Sequence, residues 1–113
     1  MLKISLRRIK PGQEDRLRTW FKEVMGRRDE VRESFRQETV RHEIAYILAD
    51  AEGPILVYAV EVEDYEKGHR AFQESRLPID IEHKRIMADA LGERLSIEPT
   101  YECVLEASDG QSS

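Results

Sequence analysis

"VRHEIAYILADAEGPILVYAVEV", from Val40 to Val62, reads as two strands and the turn that joins them. In the first, Val40, His42, Ile44, Tyr46 and Leu48 share one side, and Arg41, Glu43, Ala45, Ile47 and Ala49 share the other. Alternate side chains of a strand point to opposite faces, so each set belongs to one face of a sheet. "DAEG" suits a hairpin connection. In the second strand, Leu56, Tyr58, Val60 and Val62 face one way, and Ile55, Val57 and Ala59 the other. This strand is apolar on both faces, so both faces of the sheet need cover.

Outward from that hairpin the chain repeats a strand-helix pattern. On the N-terminal side, Leu2, Ile4 and Leu6 alternate with Lys3, Ser5 and Arg7, as in a strand with one buried face. "KPGQED" is a turn. Leu17, Trp20, Phe21, Val24, Met25, Val31 and Phe35 then keep helical spacing, which predicts one long amphipathic helix, with Gly26 marking close packing or a bend. On the C-terminal side, Asp64 is placed to cap a helix through Ser75. Pro78 restricts Leu77 to extended backbone and breaks that helix. A second piece, with Ile79, His83, Ile86, Met87, Ala90 and Leu91 inward, is expected to end at Gly92. "TYECVLEA" reads as the last strand, with Tyr101, Cys103 and Leu105 alternating against acids.

The order β-α-β-β-α-β predicts an α+β fold of the ferredoxin-like kind. It has a four-stranded antiparallel sheet and a broken second helical region. Residues 1–106 form one domain, and 107–113 a disordered polar tail. Helices cover one face only, so the other should meet a second copy across a two-fold axis, giving a homodimer through the sheet face, a dimeric α+β barrel.

Composition limits the function. The net charge is −5, yet residues 1–50 hold 12 Lys and Arg against 9 Asp and Glu, and residues 51–113 hold 6 against 14. The basic residues are interleaved with acids, as in "RRDEVRESFR", which makes ion pairs along a helix and argues against nucleic acid as partner. No stretch approaches the roughly 18 apolar residues of a membrane span. The N-terminus has no apolar signal region, and Cys103 is the one cysteine, so a cytoplasmic protein without membrane contact is expected.

Ser75, Ile79, Asp80 and His83 stand as S-x-x-x-I-D-x-x-H. With "RRDEV" in the first helix, this resembles a family of small uncharacterised bacterial and archaeal proteins in the dimeric α+β barrel superfamily. The resemblance implies a ligand pocket between sheet and helices. The wider superfamily holds cofactor-free monooxygenases, haem-degrading enzymes, isomerases, dehydratases and ligand-sensing domains. Its members that use an asparagine, a tryptophan and a histidine are poor models, because this chain contains no asparagine.

The candidate site follows. His83 points inward from its helix, and Asp80, three residues earlier on the same face, could orient it as a general base. The competing reading is a satisfied core histidine beside a carboxylate at a helix N-terminus. If the face of His42 and Tyr46 looks at the helices, then His42, His69, Tyr46 and Tyr58 converge with His83 on one ligand cavity. Three histidines suit Zn²⁺, but the short-range spacing of a metal motif is missing, and no metal or cofactor is assigned. Arg7 is expected on the side of the dimer partner, opposite Leu6. The functional expectation is a small-molecule binder that is also a candidate cofactor-free enzyme. The alternatives are a structural or regulatory dimer and a haem or metal protein using His83.

Overall fold

The computed structural model describes residues 1–105. The expected strand 100–107 lies partly inside that range, and the expected tail 107–113 lies outside it. Eight elements follow in order: β1 (Leu2–Ile9), α1 (Glu14–Met25), α2 (Arg28–Glu38), β2 (Val40–Leu48), β3 (Ile55–Val62), α3 (Tyr65–Glu74), α4 (Pro78–Ala90) and β4 (Leu91–Leu95). The fold is α+β. Among the described residues one sheet forms, with the strand order β2-β3-β1-β4 and antiparallel pairing throughout. No helix among the described residues is long and apolar enough to cross a membrane.

The hairpin at Asp50–Gly53 sets the register Leu48↔Ile55 and Ala45↔Tyr58. Gly53 supplies the turn with a φ of 122°, a region open to glycine and costly for other residues. Directly paired residues share a face, so Lys3, Ser5 and Arg7 lie with Leu56, Tyr58 and Val60, and with Glu43, Ala45 and Ile47. That face carries the helices. Leu17 and Trp20 of α1, Ile79, Ile86 and Ala90 of α4, and Leu56, Ile9 and Leu91 of the sheet form one buried cluster. The other face presents Leu2, Ile4, Ile44, Tyr46 and Leu48, which are 40–58% exposed.

Several sequence expectations change here. The single long helix is two. Gly26 closes α1, and Arg27 leaves helical backbone at φ −116°, ψ 48° before α2 begins. Arg27 then clamps the junction through Glu23, Glu30 and, across to α4, Glu82 at 2.8 Å. The second helical region is broken as expected, with Leu77 extended at ψ 133° and Pro78 in the first turn of α4. The Asp64 side chain caps α3 by accepting from the Lys67 amide at 3.1 Å.

The last strand is misplaced in the sequence reading. Leu91 is already extended, Gly92 lies inside β4, and β4 pairs with β1. Thr100–Leu105 forms no strand with the sheet. "LGERL" carries a glycine and two charges in five residues, so alternation gives it little signal beside "TYECVL". Arg7 also turns the other way. It lies on the helix-covered face and donates from Nη2 to the Gly92 carbonyl at 2.7 Å.

Candidate functional site

A cavity of about 360 Å³ lies between the sheet and the helices. α4 brings Ile79, Asp80 and His83 to it, α2 brings Ser34 and Glu38, and the strands bring Lys3, Ser5, Glu43 and Tyr58. A second, larger cleft of about 920 Å³ opens between β2 and the pair α1–α2. The two share Phe21, Val24, Val31, Phe35, Glu43 and Tyr58, so an apolar space runs from the β2 edge to a polar end.

His83 sits at that polar end with both ring nitrogens engaged. Trp20 Nε1 donates to His83 Nδ1 at 2.9 Å, and His83 Nε2 lies 3.2 Å from the Tyr58 hydroxyl. An indole N–H only donates, so Nδ1 must be unprotonated. A neutral ring then carries its proton on Nε2 and donates to the Tyr58 oxygen. Burial lowers the His83 pKa to about 4, and nearby Asp80 opposes this only in part. The Tyr58 phenol is held well above its usual range by burial first and then by Glu43 and Glu38, so it keeps its proton. The chain of donors runs Trp20 to His83 to Tyr58. Among the described residues nothing accepts the Tyr58 hydrogen.

Asp80 does not orient His83, contrary to the sequence expectation. Its carboxylate accepts from Ser34 Oγ at 2.6 Å and from Ser75 Oγ at 2.5 Å. Ser75 Oγ in turn accepts from the Leu77 amide. The S-x-x-x-I-D part of the motif thus ties the α3–α4 break to α2. Ser34 Oγ also contacts Glu38 Oε2. One hydroxyl has one hydrogen, so Ser34 cannot donate to two carboxylates at once. The contact is met when Glu38 carries a proton and donates it to Ser34 Oγ, which leaves the serine hydrogen for Asp80. Glu38 is the group pushed up to about 7, by burial first, with Asp80 and Glu43 adding repulsion against the opposing Ser34 bond. Glu43 is likewise raised to about 7, by desolvation of its carboxyl first and then by Asp80, while the residue as a whole is exposed. It is reached by solvent through the cleft yet walled by protein atoms.

The other expected residues do not all converge. Tyr58 and His83 share the cavity, and His69 reaches its rim, stacked on Tyr65 with ring centroids 6.1 Å apart. His42 is exposed on β2, paired with Glu61, and borders the larger cleft and not the polar end, while Tyr46 is 58% exposed on the bare face. The face of His42 and Tyr46 looks away from the helices, which is the condition on which their convergence depended. Trp20, Ser34, Glu38 and Glu43 belong to the polar end and were missed. Trp20 and Ser34 sit on helix faces where they read as packing, and Glu38 and Glu43 read as solvated acids. Among the described residues no group of three or more His, Cys, Asp or Glu is arranged to hold a metal ion. A metal or haem iron at His83 Nε2 would first have to displace Tyr58.

No curated protein and no solved structure is similar enough to match the chain. A family model does match it, over residues 2–111. With a match across nearly all of its length, the chain belongs to a family of unknown function, DUF6176.

Proposed function

We propose that the protein is a homodimeric small-molecule binder with one sheet–helix pocket per subunit. The observation that carries this reading is the Trp20–His83–Tyr58 chain, which leaves a phenol proton on offer in a cavity. Buried polar hydrogens are normally satisfied. A ligand oxygen, such as a carbonyl, would accept this one. The apolar run through Phe21, Val24, Val31 and Phe35 suits the body of such a molecule.

The same groups support cofactor-free proton transfer. Glu43 on β2 neighbours Tyr58 on the same sheet face, since Ala45 pairs with Tyr58 and Glu43 with Val60. A carboxyl that titrates near 7 is matched to base work near neutrality. The phenol would hold negative charge developing on the carbonyl oxygen. His83 is then a positioning group and not the base.

The strand order β2-β3-β1-β4 and the helices on one face support a ferredoxin-like subunit. The bare apolar face supports sheet-to-sheet pairing, and hence a dimeric α+β barrel.

The test is a thermal-shift and NMR screen of carbonyl-bearing fragments. Tyr58→Phe should weaken hits about tenfold, the scale of one hydrogen bond. Glu43→Gln should keep binding but stop exchange of the proton next to the carbonyl in heavy water. Fragments that bind both variants as well as the wild type, with shifts away from the cavity, would overturn the reading.

A further inference from the structure

We infer that segment 96–105 of one subunit closes the β2-side cleft of a second copy, so that each pocket is completed by its partner. This rests on the dimer just proposed.

The segment behaves unlike the rest of the chain. Tyr101, Val104 and Leu105 are 83%, 62% and 86% exposed, and Cys103 is exposed too. Among the described residues, 96–105 have no hydrogen bond to the body. Yet "TYECVL" has the β-branched and aromatic alternation of a strand, which gains little from water. Six extended residues span roughly 20 Å, the reach of an ordinary strand.

The cleft has the complementary character. β2 is an edge strand with one side unpaired, and its nine residues outnumber the five of β4, the other edge. The cleft is apolar inside, with Met25 68% and Ile44 40% exposed beside it. Its rim carries Arg18, Lys22, Arg28 and Arg32, of which Arg18 and Arg32 pair with Glu14 and Asp29 of their own helices, and Glu43 is the acid in its lining. The segment is acidic, with Glu98 and Glu102, and the sequence has no Lys or Arg after Arg94. Apolar side chains would enter the cleft while acids meet the basic rim, and the backbone would extend the sheet at β2.

A second copy is favoured over the chain's own segment by topology. The segment leaves from β4, at the opposite edge of the sheet from β2. Across a two-fold axis, two segments close two clefts at once, and no complementary surface is left over.

Cys103 is the single cysteine, so it accepts a benzophenone maleimide at one place. Light scattering on the labelled full chain precedes irradiation. The expected product is a covalent dimer, joined from Cys103 to a peptide of α1, α2 or β2. A chain truncated after Glu98 should stay folded, and its dimer should dissociate at about tenfold or more lower dilution. Dimeric mass with cross-links within one chain, to another surface, or absent would overturn segment exchange alone. Monomeric mass of the full chain would overturn the sheet dimer as well. A truncated chain that dimerises as tightly as the full one would also overturn the exchange.

Discussion

The two faces of the sheet are made from alternate residues of the same strands, and both are largely apolar, yet helices cover only one. The covered face sets Ser5, Arg7, Glu43 and Tyr58 among the apolar Ala45, Ile47, Leu56 and Val60. The bare face holds Leu2, Ile4, Leu6, Ile44, Tyr46 and Leu48. Polar groups kept under a layer need partners, and here the partners form connected chains. Apolar groups left outside need a surface. The contrast is what the proposed pocket on one side and the proposed assembly on the other would use.

The largest effect should come from the tightest contact on the covered side. Gly68 is buried, and a Cβ there would collide with the Glu38 carbonyl and crowd Val62. Gly68→Val should cost more than about 3 kcal/mol in urea unfolding, or yield no soluble protein, because backbone cannot step aside. On the bare side, Val57→Glu places an unpaired charge in the middle of the proposed interface. It should lower the light-scattering mass to that of a monomer while helix content stays constant. A Val57→Glu variant that remains dimeric would break the comparison outright.

Trp20→Phe sharpens the covered side. It removes the N–H that His83 Nδ1 accepts and should cost about 1–3 kcal/mol. Nitrogen-15 NMR of His83 should then show a ring that protonates at higher pH than in the wild type.

The proton shared through Ser34 has a pH signature. Glu38 is raised from 4.5 to about 7, so its stabilising contribution is full below 4.5 and is lost as pH rises through 7. His83 is lowered from 6.5 to about 4, so its contribution is full above 6.5 and is lost as pH falls through 4. Glu38→Gln should remove the loss on the alkaline side, making the variant more stable than wild type above pH 7 by on the order of 1–2 kcal/mol. A wild-type stability that stays flat from pH 4.5 to 7 while Glu38→Gln changes nothing would contradict the shared proton. The smallest effect belongs to the solvent-facing pair Arg18–Glu14, 2.9 Å apart. Arg18→Ala should move unfolding by no more than about 0.5 kcal/mol.

Local rules carried the sequence reading where one residue decides the backbone. Pro78 broke the helix, Asp64 capped α3, and "DAEG" joined two strands as a hairpin. The inward phase of His83 was legible for the same reason. What was not legible lies in pairs far apart in the chain. Trp20 meets His83 across 63 positions, and Ser34 meets Asp80 across 46. Asp80 and His83 are neighbours on one helix face, and proximity suggested a bond. The nearer acceptor demands of two serines took the carboxylate instead. The orientation of β2 could not be fixed either, because both of its faces mix apolar and polar residues. The last strand went to the segment with the stronger pattern, while the sheet took the weaker one that follows α4 without a turn.

Trp20 is the only tryptophan in the chain, and its indole nitrogen is bonded to the histidine that touches Tyr58. The protein therefore carries its own optical probe, one bond removed from the proposed ligand site. Indole emission responds to the polarity around the ring and is quenched by a protonated imidazole. A molecule that draws Tyr58 away from His83, or a proton that reaches the ring near pH 4, should change the emission of this one residue. Ligand capture and histidine protonation would be readable without a label, on the unmodified chain, in a cuvette.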